Sequence, residues 1–280
     1  MTLQNPRLLM KIGDEEEFDI ADRVAGLTYL GDDATPATTN QLAQINGIDG
    51  AIYQYKTNNN YQVPAKFLLK FGDWQDYKLA KHELFKIFST RKLIRIRTDT
   101  EMAIVRFVLP TIPEIAPAQE EAHWATFTEN FDNPSGYRYS IFRSDSNYSP
   151  EKSGWQLGMN IPEGFKLNYH FTTSSFKVYN ASDIEIDPYG QKHDLKIIMK
   201  FSGDSLTLTN KTDGSSYSYK KPSSGGDKII LDGIATTLNG QPASGNTDYG
   251  NITLQPGWND ITATGAGSVD ITFSFPFIYI

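Results

Sequence analysis

The sequence predicts a mainly β protein in two domains. The first, residues 1–133, is a β-sandwich or barrel with one helix; the second, residues 134–280, is an all-β sandwich or barrel. Three observations carry this reading. One stretch, "DWQDYKLAKHELFKIFS", repeats its apolar residues at helical spacing. After Pro134-Ser135-Gly136 helical patterning disappears, Gly, Ser, Thr and Asn rise, and short alternating runs recur about every ten residues. Asp213-Gly214 stands between two alternating runs as a hairpin signal, and Asn239-Gly240 marks another turn.

Along the first domain, Asp14-Glu15-Glu16-Glu17 reads as a solvated acidic loop. Asp49-Gly50 is a turn signal. Asn58-Asn59-Asn60 reads as the tip of a β-hairpin, with Ile52, Tyr53 and Tyr55 before it and Tyr61, Val63, Phe67, Leu69 and Phe71 after it. In the helix, Tyr77, Ala80, Leu84, Ile87 and Phe88 form one apolar stripe, and Asp73 and Asp76 suit its N-terminal end. "KLIRIRTD" and "MAIVRFVLP" read as two strands. The basic stretch Arg91 to Arg106 is either the exposed faces of an antiparallel pair or a charged rim for an acidic partner. Ala122 to Phe131 adds another strand.

In the second domain the expected strands are "FKVYN", "IEIDP", "DLKIIMKF", "SLTLTN", "SSYSYK", "KIILDG", "ATTLNG", "NITL" and the closing run. Residues 137–175 read as a linker with the first sandwich strands. Pro256-Gly257 is a turn feeding the final strand, where Ile271, Phe273, Phe275 and Phe277 share one face. Pro276 lacks an amide proton and marks an edge or bulge. An apolar strand of this kind is expected to be paired inside the fold or against a neighbour, because an open apolar edge aggregates.

Composition excludes several functions. Cysteine is absent, which removes disulfides, thiol catalysis and thiolate metal sites. The net charge of −7 without a dense basic block leaves specific nucleic-acid binding unsupported. No run has the apolar length of a membrane span, and Met1 to Met10 reads as no signal peptide. The four histidines, His82, His123, His170 and His193, have no metal-ligand spacing, so no metal or cofactor is expected. No nucleophile elbow or phosphate loop is present. Glu185, Asp187 and Asp194 could pair as a glycosidase dyad, but acids flanking strands are common and the reading here is not an enzyme. Trp155, Tyr189, Tyr249 and Trp258 could stack on sugar rings or pack in turns.

The order of "DGAIYQY", "VPAKFLLKFGDWQDYKLAKHELFKIFSTRKLIRIRTD", "FTENFDNPSGY", "SFKVYNASDIEIDP", "LKIIMKFSGDSLTLTNKTDGSSYSY", "DKIILDG", "LQPGWNDI" and "ITFSFPFIYI" spans most of the chain. In this order the chain resembles the distal tail protein family (Dit) of long, non-contractile-tailed phages that infect Gram-positive bacteria. The resemblance implies an N-terminal belt domain that closes six copies into a ring and a C-terminal galectin-like β-sandwich. It implies a tail-tip location in the virion after assembly in the host cytoplasm. It also implies partners: the tail tube protein, the tail-tip protein and a receptor-binding protein. Two surfaces meet in a ring; Asn58, Asn59 and Asn60 and the basic residues Arg91, Arg95 and Arg97 are assigned to them. A different reading is a carbohydrate-binding adhesion module touching the host wall through Trp155 and Tyr249; a third is a glycan hydrolase.

Overall fold

The computed structural model describes residues 5–146, 154–161 and 167–280. By its internal contacts the chain divides into two compact units, Met1–Arg138 with Ile280, and Tyr139–Tyr279. It is mainly β, as its sequence predicts.

In unit 1 the elements run β1 (Leu8–Ile12), β2 (Phe18–Asp19), α1 (Ile20–Arg23), β3 (Leu27–Asp32), β4 (Ala37–Ala43), β5 (Ile52–Asn59), β6 (Tyr61–Lys70), α2 (Trp74–Phe88), β7 (Ile94–Thr98), β8 (Ile104–Val108) and β9 (Trp124–Asn133). One sheet carries β2-β1-β7-β8 in order and a second carries β3-β6-β9. Strand β6 alternates strictly, burying Tyr61, Val63, Ala65, Phe67 and Leu69. It is the middle strand, yet it holds Pro64. The proline is tolerated because β3 pairs only Ala65 to Leu69, so no β3 partner waits for the missing amide proton. Helix α2 starts where expected: Asp73 Oδ1 accepts from the amides of Gln75 and Asp76, both at 2.8 Å. Its stripe of Tyr77, Ala80, Leu84, Ile87 and Phe88 is buried, with Phe88 edge-on to Phe131 of β9 at 5.9 Å.

Two expectations fail here. Asn58-Asn59-Asn60 is not a hairpin tip. Strand β5 pairs β4, in register from Ala37↔Asn59 to Ala43↔Ile52, while β6 pairs β3 and β9. The turn lies at 44–51, where Gly47 and Gly50 take φ of 83° and 85°. Asn60 is the passage between strands of two different sheets. The acidic run is not wholly solvated either: the Glu17 carboxylate is half-buried on Arg95 and Arg97.

Unit 2 has Tyr139 to Arg143 of β10 (Arg138–Arg143), then β11 (His170–Phe171), β12 (Ser175–Asn180), β13 (Lys196–Asn210), β14 (Ser216–Tyr219), β15 (Ser223–Ser224), β16 (Ile229–Asp232), β17 (Ala235–Leu238), β18 (Gln241–Pro242), a 3-10 turn at Ser244–Asn246, β19 (Gly257–Ser274) and β20 (Pro276–Tyr279). The main sheet runs β11-β19-β13-β16-β17-β18, with β12 on β19 and β14 and β15 on β13. "DLKIIMKF" and "SLTLTN" are one 15-residue strand, β13, bent at a register shift about Gly203. Both expected hairpins form. The β13–β14 link is a longer loop at 211–215 in which only Gly214 takes positive φ, at 83°, whereas Asn239-Gly240, at φ 49° and 83°, is a two-residue turn closing β17–β18.

"IEIDP" and "NITL" are not strands; Ile186 and Leu254 share a single bridge. Asparagine side chains replace the missing ladder. Asn180 Nδ2 donates to Leu254 O at 3.0 Å, and Asn210 Nδ2 to Thr253 O at 2.9 Å. Asn259 Oδ1 accepts from Gln255 N at 2.9 Å, and its Nδ2 donates to Gln255 O at 2.8 Å. Buried backbone must find partners, and here side chains supply them.

The final run is covered. Strand β20 pairs β10, Ile278 N donates to Ser182 Oγ and Phe277 N to Ser140 Oγ. Phe273, Phe275, Phe277, Ile278 and Tyr279 are all buried. The expected face of Ile271, Phe273, Phe275 and Phe277 is buried throughout; Phe275 separates β19 from β20, and beyond Pro276 both faces are apolar, since Ile278 is buried too.

Candidate assembly interface

Strands β4 and β5 form a two-stranded sheet joined to no other strand among the described residues. Such a hairpin is marginal alone in water. Leu42, Ile45, Ile48, Ile52, Tyr53 and Tyr55 are all exposed along its outer half and turn. Covering six side chains of this size is worth up to about 10 kcal/mol in apolar transfer. This is the most apolar exposed element of unit 1, and contiguous patches of this kind mark interaction surfaces.

Asn58 and Asn59 sit at the root of this hairpin. Asn59 Nδ2 donates to Thr39 Oγ1 across β4 at 2.6 Å, and Asn58 Nδ2 to the Tyr137 hydroxyl at 3.5 Å. Gly136, at φ 73°, lets the root settle on the 134–137 turn; a Cβ there would stand 2.4 Å from Asn59 O. Asn60 is exposed between β5 and β6.

Of the basic residues, only Arg95 and Arg97 come together. Both bind Glu17: Arg95 Nη2 at 2.9 Å and Arg97 Nε at 3.0 Å from each carboxylate oxygen. Burial works against the Glu17 charge, but Arg97 and then Arg95 outweigh it and hold the carboxyl below its ordinary value. Arg106 lies 4.0 Å from Asp32, which also accepts from the Tyr29 hydroxyl. Arg91 is exposed. Most of the basic stretch is thus balanced by acids of its own chain.

In unit 2, Trp155 is half-buried on the 154–161 segment, while Tyr249 is 76% exposed after the 3-10 turn, at φ 62°. Trp258 packs edge-on to Tyr179 at 5.0 Å. Glu185 accepts from Gln255, Asp187 from the Tyr189 amide, and Asp194 from Arg143. Each acid of the supposed dyad is taken up by a structural contact. Among the described residues no three His, Asp or Glu side chains gather as a metal site.

The hairpin was missed as a unit because its first arm, "ATTNQLA", is polar with one large apolar residue. The available signal was Asp49-Gly50 directly before the Tyr53/Tyr55 alternation.

Residues 25–133 match the family model of the phage tail protein RIFT-related domain. No curated protein matches the sequence. SPP1 Dit, described as a paradigm of the hub adsorption apparatus in Gram-positive infecting phages, has a similar structure: TM-score 0.66 at 13% identity, over 98% of this chain and 100% of that one. Chains of the phage P2 baseplate in its activated conformation are also similar. The calcium form gives TM-score 0.43 at 13% identity over 98% of each chain, and the strontium form 0.42 at 12% over 97% and 98%. The fold correspondence rests on the SPP1 protein. The matches support a structural role in a phage tail. Residues 25–133 thus resemble a phage tail protein domain, and the chain has, over nearly its whole length, the fold of SPP1 Dit.

Proposed function

We propose that this chain is a distal tail protein that assembles as a hexameric ring at the phage tail tip. It joins the tail tube protein to the tail-tip protein and offers a mounting point for receptor-binding proteins. Residues 1–133 act as the ring-forming belt and 134–280 as a galectin-like sandwich. The observation that carries this reading is the exposed apolar β4–β5 hairpin inside a phage tail domain. A cyclic ring joins two unlike surfaces, and a hairpin with uncovered Leu, Ile and Tyr side chains suits one of them. Asn58, Asn59 and Asn60 then seat the hairpin at its root, and Arg91 supplies an exposed charge near the second surface. Arg95 and Arg97 shape that surface through Glu17. The role is structural and needs no catalytic group.

The solution mass by light scattering tests it. A mass near six times 31.4 kDa is expected. A monomer at high concentration, both alone and co-expressed with the tail-tip protein, refutes the ring. A second reading, carbohydrate adhesion, keeps support from the exposed Tyr249 ring and is tested by saccharide-dependent fluorescence.

A further inference from the structure

An open groove of about 770 Å³ lies on unit 2 between the turn that follows Ile186 and the β16–β17 turn. That volume falls in the range of small-ligand sites. Tyr189 forms one wall and is 72% exposed; Ile234, 56% exposed, forms another. The Tyr189 turn is fixed by side-chain bonds. Asp187 Oδ1 accepts from the Tyr189 amide at 2.9 Å, Gln191 Oε1 from the Asp187 amide at 3.0 Å, and Gln191 Nε2 donates to Glu185 O at 2.8 Å. The aromatic ring is therefore held out on a rigid support at little further ordering cost. Lys192, also lining the groove, sits at φ 54°, a left-handed conformation that a lysine rarely adopts and that often accompanies function.

The polar lining is balanced. Lys196 Nζ lies 3.5 Å from Asp194 and 3.5 Å from Asp232, and all three side chains are at least one-third exposed. Lys192 and Lys196 line the groove with Asp194 and Asp232, and Arg143 also holds Asp194, so charges of both signs are interspersed and no single-sign block faces a polyanion. Its backbone is already used: Gly233 N donates to Leu195 O at 2.8 Å, and Asp232 is in register with Lys196 across β16–β13. A peptide adding by main-chain bonds finds no edge there. What remains is a flat aromatic face, an aliphatic face, carboxylates that accept and ammonium groups that donate.

We propose that this groove binds a neutral saccharide, with the C–H face of one sugar ring on Tyr189 and its vicinal hydroxyls shared between Asp232 and Lys196. The polarised C–H bonds of a sugar meet the negative face of the Tyr ring. Hydroxyls, which both donate and accept, match an alternating carboxylate and ammonium lining better than any single-sign ligand does. The site stands apart from Trp155 and Tyr249, and it does not rest on ring assembly.

Saturation-transfer NMR on the full chain tests the proposal, using maltose, lactose and chitobiose as neutral probes and glycerol 3-phosphate as an anionic polyol. Saturation of protein resonances is expected to reach at least one neutral probe with affinity on the order of millimolar. Tyr189→Ala and Asp232→Asn should each weaken it about tenfold without moving the melting temperature, because both side chains are exposed. Trp155→Ala and Tyr249→Ala should leave it unchanged. No transfer to any neutral probe, transfer to glycerol 3-phosphate alone, or full binding by Tyr189→Ala overturns the proposal. The hexamer is read from mass, so failure of either reading is seen separately.

Discussion

Arg97 holds Glu17 side-on, with Nε 3.0 Å from both carboxylate oxygens, across 80 positions of sequence. The pair ties the loop after β1 to strand β7. Arg97 is only 9% exposed, so removing its partner leaves a buried cation uncompensated. Glu17→Ala is expected to lower stability by about 3 kcal/mol, read by urea denaturation. The Glu17 carboxyl is held below its ordinary value, so this stabilisation is present above the unfolded pKa and is lost as pH falls through the folded one.

Glu129 behaves oppositely. It is fully buried on β9, its Oε1 accepting from Thr111 N at 2.5 Å and Thr111 Oγ1 at 3.1 Å, while Oε2 finds no partner among the described residues. Burial pushes its pKa up to about 7. The folded state therefore keeps a proton that the unfolded state releases, and stability falls as pH rises from the ordinary carboxylate range to about 7. Glu129→Gln should remove that slope and gain on the order of 2 kcal/mol at alkaline pH, measured by melting at several pH values.

His193 gives unit 2 an acid limit. It is buried, with Nε2 donating to Pro276 O at 3.0 Å and Nδ1 unpartnered among the described residues. Burial lowers its pKa to about 4, so the fold keeps it neutral. Stability should drop as pH falls from the ordinary histidine range toward about 4, because the unfolded chain takes up a proton there. His193→Gln, which can still donate to Pro276 O, is expected to flatten that part of the profile.

Asn259 is wholly buried and bonds both backbone groups of Gln255. Asn259→Leu keeps the volume and strands those groups. A loss of about 3 kcal/mol is expected, with hydrogen exchange quickening first at residues 251–255. Unchanged protection there would refute the role given to this side chain.

Replacing Tyr53 and Tyr55 with Ser removes much of the exposed apolar surface of the hairpin. The monomer melting temperature should hold, since neither ring is buried. The assembled mass should fall toward that of one chain. A hexamer of undiminished stability would place the ring contact elsewhere.

Elements that bury a face were legible in the sequence: the stripe of α2, the alternation of β6 and the turns at Asp213-Gly214 and Asn239-Gly240 all declare their geometry locally. Partner choice was not. Tyr53 and Tyr61 alternate equally well, and nothing local tells that β5 turns back to the polar β4 while β6 joins β3 and β9. Ile186 and Leu254 look like strand residues because they are core residues; the distant Asn180, Asn210 and Asn259 that hold their segments carry no periodic signal. The groove at Tyr189 depends on two turns more than forty positions apart in sequence, so Tyr189 alone could be read only as one exposed aromatic among several.

The pairing of β20 with β10 imposes an order on synthesis. Ser144 N donates to Phe275 O and Phe277 N to Ser140 Oγ, across 131 and 137 positions. A growing chain can shape unit 1, all but its Ile280, as it emerges from the ribosome. Unit 2 must wait, its first strand without this mate, until residue 279 is clear of the exit tunnel. Nascent chains halted before Phe275 should therefore hold a protease-resistant first unit beside an open second one, so translation itself keeps the two halves from maturing together.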